Sequence, residues 1–172
     1  MDIEPDTKDW TWVLSETCPE CGLTAAAVAP TEVAGRVLAD LPRWETVLTR
    51  VEARVRPAPT TWSPSEYACH VRDVFVMFEG RLRLMLEEDD PLFANWDQDE
   101  TALAEDYAAQ LPSEVSTQLV AAGRAIAATF AAVPDDAWER TGRRSNGSVF
   151  TVTTLAQYFL HDVVHHLHDV QG

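Results

Sequence analysis

The chain has 172 residues, 13 basic and 28 acidic side chains, a net charge of −15 and a hydrophobic content of 46%. So acidic a chain repels phosphate backbones and anionic lipid, which argues against nucleic-acid and peripheral-membrane partners. The hydrophobic content excludes a disordered chain, and no apolar run approaches the ~20 residues of a membrane helix. The first ten residues carry neither the basic nor the apolar region of a secretory signal, and three cysteines make no disulfide framework, so a cytoplasmic protein of one domain is expected.

Residues 1–30 read as an N-terminal extension. They contain Trp10, Trp12, the run Cys18-Pro19-Glu20-Cys21-Gly22 and an Ala-rich stretch ending at Pro30. Residues 31–172 read as the main domain. A first helix is expected from Thr31 to about Arg56, kinked or broken at Pro42 and stopped by Pro57 and Pro59. The second helix has a clear start. Ser63-Pro64-Ser65-Glu66 offers an N-cap serine, proline at the first helical position and glutamate at the third, which is a capping box. It should run to about Glu88 and bury Tyr67, Val71, Val74, Phe78, Leu82 and Met85 along one stripe.

Residues 89–112 are acidic and irregular, with a short helix expected around Thr101 to Gln110. No basic residue lies between Arg83 and Arg124. A solvated acidic surface and a cation-attracting rim both fit that gap. A loop of this length is mobile or functional, and Trp96, Asp97 and Gln98 could fold over a site as a lid. A third, Ala-rich helix is expected from near Ser113 to before Pro134. Asn146-Gly147 marks a tight turn between short strand-like pieces. A fourth helix should run from near Thr151 almost to the end. Four amphipathic helices without a convincing sheet predict an all-α bundle.

Histidines 161 and 165 stand four apart on this last helix, so they project from one face and suit a single metal ion. The flanking residue is Asp162, not the glutamate of an HExxH motif. On a helical wheel both histidines, with His168, fall opposite the apolar stripe, which leaves solvent exposure or a polar cleft between helices. His70 lies at the border of the second helix's stripe. It could be a hydrogen-bonded core histidine. It could also be a third ligand, and three histidines would leave an open position for water, the layout of a catalytic metal site. Such a metal lowers the pKa of a bound water or thiol. Asp73 and Asp162 could each orient a ligand imidazole, and an acidic helix surface accounts for both as well.

Two stretches carry a resemblance. Trp62-Ser63-Pro64-Ser65-Glu66-Tyr67-Ala68-Cys69-His70-Val71-Arg72-Asp73 resembles the second-helix motif of the DinB-like (YfiT-like) superfamily, and Phe159-Leu160-His161-Asp162-Val163-Val164-His165-His166 resembles its last-helix motif. The two occur in the family's order and separation, over about residues 31–170. The resemblance implies a four-helix bundle of the DinB/YfiT type, often dimeric, with a divalent metal, zinc or nickel, on His70, His161 and His165. His166 and His168 then become surface or supporting groups. It further implies transfer of a low-molecular-weight thiol, mycothiol- or bacillithiol-like, to an electrophilic small molecule. A metal-dependent hydrolase is the alternative, and a non-catalytic dimeric metal-binding or stress-response module a third. A homodimer acting on a small molecule is expected.

Cys18-x-x-Cys21-Gly resembles half of a zinc knuckle, with no second CxxC to complete it. A surface turn, a metal site completed by other residues such as the last helix's histidines, and a redox dithiol all remain open. Cys69 belongs to the apolar stripe and should serve packing. Arg140, Arg143 and Arg144 form the densest basic cluster and could anchor an anionic substrate or thiol. A solvated turn paired with the acidic loop is the other reading.

Overall fold

The computed structural model describes residue 3 and residues 9–172 of the chain. Four long helices form the bundle: α1 (Val33–Leu48), α2 (Pro64–Glu87), α4 (Pro112–Ala131) and α5 (Val152–Asp169). A short helix, α3 (Gln98–Ala104), lies in the long connection between α2 and α4. Helix α4 packs on α1 and α2, and α5 packs on α2, on α1 and on the N-terminal turns. The core between them holds Trp44, Phe75, Leu82, Leu119, Ile126, Leu155, Phe159 and Leu160, all fully buried. No helix among the described residues is long and apolar enough to cross a membrane.

Helix α2 begins as its sequence predicts. The Ser63 hydroxyl accepts from the Glu66 amide at 3.3 Å, and the Glu66 carboxylate accepts from the Ser63 amide at 2.8 Å. This closes both halves of the capping box, a device worth about 1 kcal/mol. Glu66 is also buried against the Arg56 guanidinium, which supplies its countercharge. Thr151 caps α5 in the same manner with Thr154.

Helix α1 is shorter than expected, ending at Leu48. Its buried stripe ends with Val47 and Leu48, and Val51 beyond it is fully exposed, so packing no longer supports the helix. The chain there turns to another use: Arg50 donates to the carbonyls of Val170 and Gln171 at 2.6 and 2.8 Å, tying the end of α1 to the end of α5. Pro42 is accommodated within the helix.

The connections contain a sheet that helix periodicity alone does not reveal. Strands β2 (Thr141–Arg144) and β3 (Val149–Thr151) pair antiparallel, around a turn in which Gly147 takes φ +92°. Strand β1 (Leu92–Phe93) adds parallel to β2, with Phe93 opposite Arg144. The short helix of the acidic connection starts earlier than expected because Asp97 caps it, accepting from the amides of Asp99 and Glu100.

Residues 10–28 lie along α5. A 3-10 turn at Trp10–Leu14 and another at Ala25–Ala27 both pack on it, burying Val13, Cys18, Ala25 and Val28. Gln157 of α5 donates to the carbonyls of Ala26 and Val28, at 3.3 and 3.0 Å, which fixes this stretch along the helix.

Candidate metal centres

Successive residues of a helix point about 100° apart, so α5 presents two neighbouring polar stripes. His161 and His165 form one. Asp162, His166 and Asp169 form the other. The two stripes meet different neighbours.

The second stripe faces α2. His70, at 1% exposure, sits with its Nε2 3.8 Å from Asp162 Oδ1, and His166 Nε2 lies 3.7 Å from the same oxygen. The His70 and His166 rings are 4.8 Å apart, edge to face. One ligand atom from each of His70, Asp162 and His166 falls within 4.8 Å of the others. Neither nitrogen of His70 has a hydrogen-bond partner, and Asp162 Oδ1 is likewise buried without one. Unsatisfied buried polar atoms are costly, so a convergent set of them fits a bound cation. His166 Nδ1 lies 3.0 Å from Asp169 Oδ2. The flanking walls are aromatic: Trp96 stacks on His70 at 5.5 Å, Trp62 lies 5.3 Å from it, and Tyr67 lies 5.3 Å from His166.

Burial lowers the His70 pKa below the usual histidine value, so its ring is neutral near pH 7. Burial pushes the Asp162 carboxyl up, but the facing His70 and His166 imidazoles outweigh it and the net shift is downward. A carboxylate facing the neutral His70 ring and a second histidine is a ligand set suited to a divalent ion.

The first stripe faces the N-terminal extension. Cys18, Cys21, His161 and His165 each bring a ligand atom within 4.8 Å of the others. Cys18 Sγ is 3.6 Å from His165 Nδ1. Trp10 packs on both imidazoles, 5.7 Å from His161 and 5.2 Å from His165, and Trp12 lies 6.4 Å from His161. Burial lowers the His161 pKa to about 4, with His165 beside it adding to the effect, and burial also lowers His165. Burial raises the Cys21 thiol to about 11. A grouping of Glu20, His165 and Asp169 shares His165 and includes the exposed Glu20.

The expected triad is thus divided. His161 and His165 are adjacent, with rings 5.1 Å apart, but they group with the cysteines, whereas His70 groups with Asp162 and His166. Both histidines of the first stripe are buried, at 4% and 7%, because the extension covers a face that the wheel of α5 alone leaves open to solvent. His166, expected to be a surface or supporting group, is half-buried against His70, while His168 is exposed. The signal for His166 and Asp162 was present as a second i, i+4 pair, one residue out of step with the first.

Other candidates go to other work. Asp73 does not reach His70; it pairs with Arg72 at 2.8 Å and accepts from the Tyr107 hydroxyl at 2.5 Å. Arg140 donates to the carbonyls of Met85 and Glu88, and Arg143 pairs with Asp90 at 2.9 Å. These two fasten the hairpin to the carbonyls and acids at the end of α2. Arg144 lies over the Tyr158 ring, one turn before Asp162. Cys69 is fully buried in the core, and its thiol donates to Gln110 Oε1 at 3.5 Å. Trp96 does lie over His70, while Asp97 serves the cap of α3.

The family model of the DinB superfamily matches residues 25–170. The solved structure of YfiT from Bacillus subtilis, described as a probable metal-dependent hydrolase with an unusual four-helix bundle topology, is 20% identical, with a TM-score of 0.68 over 81% of each chain. At that identity the likeness speaks for the fold. No curated protein matches the chain in sequence.

Proposed function

Since the chain belongs to the DinB superfamily, we propose that it is a metal-dependent enzyme whose working centre is His70, Asp162 and His166, where α2 meets α5. The observation that carries this reading is His70, buried with two unpartnered ring nitrogens and facing a carboxylate and a second imidazole. Two imidazoles and one carboxylate leave coordination positions open, which distinguishes a catalytic from a structural set. A divalent ion, zinc or nickel, held there supplies Lewis acidity that lowers the pKa of a bound thiol or water.

The reaction we assign is transfer of a low-molecular-weight thiol to an electrophilic small molecule. The residues around the set suit it. Trp62, Trp96 and Tyr67 give apolar walls that exclude bulk water and accept a small organic electrophile. Arg144, beside Tyr158, is positioned to hold a carboxylate of the thiol or its acceptor. Asp169 keeps the proton of His166 on Nδ1, which leaves Nε2 as the lone-pair nitrogen facing Asp162. Hydrolysis is the second reading, favoured by the description of YfiT as a probable metal-dependent hydrolase.

The test is to load the protein with zinc or nickel and assay it with a panel of low-molecular-weight thiols against a generic aromatic electrophile, and separately with activated esters. Thiol conjugation lost in His70→Ala and His166→Ala supports the proposal. Ester turnover without conjugation transfers the site to the hydrolytic reading. Unchanged turnover in both variants, with loss in His161→Ala, restores the set His70, His161 and His165 that the sequence implies.

A further inference from the structure

We infer that Cys18, Cys21, His161 and His165 form a second, structural metal site, a closed tetrahedral zinc centre that fastens the N-terminal extension to α5. The site is built from two separate parts of the chain. The turn Cys18-Pro19-Glu20-Cys21-Gly22 supplies two sulfurs, and one face of α5 supplies two imidazoles.

The distances fit. Zinc–sulfur and zinc–nitrogen bonds of about 2.3 and 2.0–2.1 Å at the tetrahedral angle put a sulfur and a nitrogen ligand about 3.6 Å apart. Cys18 Sγ and His165 Nδ1 are 3.6 Å apart. All four ligand atoms fall within 4.8 Å of one another, close enough to converge on one ion with small side-chain shifts. A second observation points to a ligand. His161 is 4% exposed and its Nε2 is buried with no hydrogen-bond partner.

The turn holds the cysteines in a form suited to a metal. The Gly22 amide donates to the Cys18 carbonyl at 2.9 Å and the Cys18 amide donates to the Leu23 carbonyl at 3.0 Å. Gly22 takes φ +74°, a conformation that glycine adopts without steric cost. This tight loop brings two sulfurs three residues apart to the same side. Behind the other ligand, His165 Nε2 lies 3.5 Å from Glu20 and 3.7 Å from Asp169, so acidic groups face the ring nitrogen that points away from Cys18.

The donor set also fixes the role. Two thiolates and two neutral imidazoles around a dication give a neutral cluster, which can be buried at low cost, and binding releases the two thiol protons to solvent. Four protein ligands leave no position for substrate, and Trp10 and Trp12 cover the imidazoles. The centre therefore holds structure. It pins residues 10–28 on the stripe next to His70, Asp162 and His166. The inference does not depend on what that neighbouring set does.

The experiment uses the full chain, purified untagged from zinc-replete cells. Metal content is measured for wild type, Cys18→Ser/Cys21→Ser and His70→Ala/His166→Ala. Cobalt-substituted wild type is examined for thiolate-to-cobalt charge transfer and tetrahedral ligand-field bands. The cysteine variant should lose one equivalent, and the His70/His166 variant should keep it. Hydrogen exchange of residues 10–28 should rise at least tenfold when the zinc is stripped from wild type. The cobalt and exchange measurements need no variant, so a misfolded double mutant does not weaken the test. Unchanged zinc content in the cysteine variant, cobalt spectra without a thiolate band, or a Cys18–Cys21 disulfide in freshly isolated protein would each overturn the inference.

Discussion

Asp169 Oδ2 stands 3.0 Å from His166 Nδ1, on the side of the ring away from His70 and Asp162. Nearby imidazoles hold the Asp169 carboxyl below its ordinary value despite burial, so it is an ionised acceptor and the imidazole must donate. Its other oxygen lies 3.7 Å from His165 Nε2, beyond hydrogen-bond reach. Asp169→Ala should therefore weaken divalent-metal affinity at the His70–Asp162–His166 set by about 10–100-fold, and affect the cysteine–histidine set less. Competition against a chromophoric chelator measures both. Equal weakening at the two sets would show that Asp169 does not orient His166 in particular.

Acid stability of the metal-free protein follows from the buried histidines. Burial lowers His161 to about 4 and lowers His70 and His165 as well, whereas the unfolded chain binds these protons near 6.5. Below 6.5 the unfolded state binds more protons than the folded state, so stability is in place above that pH and is lost as pH falls through about 4. Carboxylates do not confuse the upper part of this window. Glu66, Asp162 and Asp169 are all held below ordinary values of 4.5 or 3.8, and their protonation enters later. The melting temperature of chelator-treated protein should fall steadily from pH 6.5 to 4.5. A flat profile there would contradict burial of neutral imidazoles.

Local signals were the legible part of the fold. Ser63 and Glu66 announce the start of α2, Asn146-Gly147 announces the hairpin, and the 3.6-residue stripes announce four helices. The end of α1 was not legible, because Pro57 looks like the stop. In fact the buried stripe ends at Leu48, and a tertiary contact, Arg50 on the α5 carbonyls, takes over the following turn. Strand β1 was hidden because two residues pairing with a distant strand leave no periodicity. At the site, His70 and the CxxC could be named from sequence, and the last helix's histidines as one way to complete the CxxC, but Asp162 and His166 could not be named as the partners of His70. Which α5 stripe faces α2 and which faces the extension depends on helix rotation, and a shift of one residue exchanges His161 and His165 for Asp162 and His166.

Close packing of α4 against α1 and α2 rests on Gly123. A Cβ there would lie 2.5 Å from Leu41 Cδ2 and 2.9 Å from Phe75 Cε2, both in the buried core. Alanine favours a helix interior over glycine by about 1 kcal/mol, while overpacking a close-packed core costs about 1–3 kcal/mol. Sterics should win. Gly123→Ala should lower the urea midpoint with little change in the slope, and Gly80→Ala, whose Cβ would meet open space, should raise it. A raised midpoint for Gly123→Ala would mean that Leu41 and Phe75 relax at negligible cost.

The three cysteines should separate by reactivity. Cys69 is fully buried, and burial pushes its thiol up to about 12. At pH 8 this leaves about one thiolate in ten thousand, with no path for a reagent. Cys21 is half-buried and, without metal, its thiol stands at about 11. That is slow chemistry, but the sulfur can be reached. Zinc-loaded protein should thus give no fast reaction with an aromatic disulfide reagent. Chelation should release slow labelling of Cys21 and then of its neighbour Cys18, while Cys69 should label only at the rate of global unfolding. Mass spectrometry of peptides quenched at intervals reads each site separately. Rapid labelling of Cys69 in folded protein would show that α2 opens beside His70, and the water-excluding aromatic walls proposed there would then have to be abandoned.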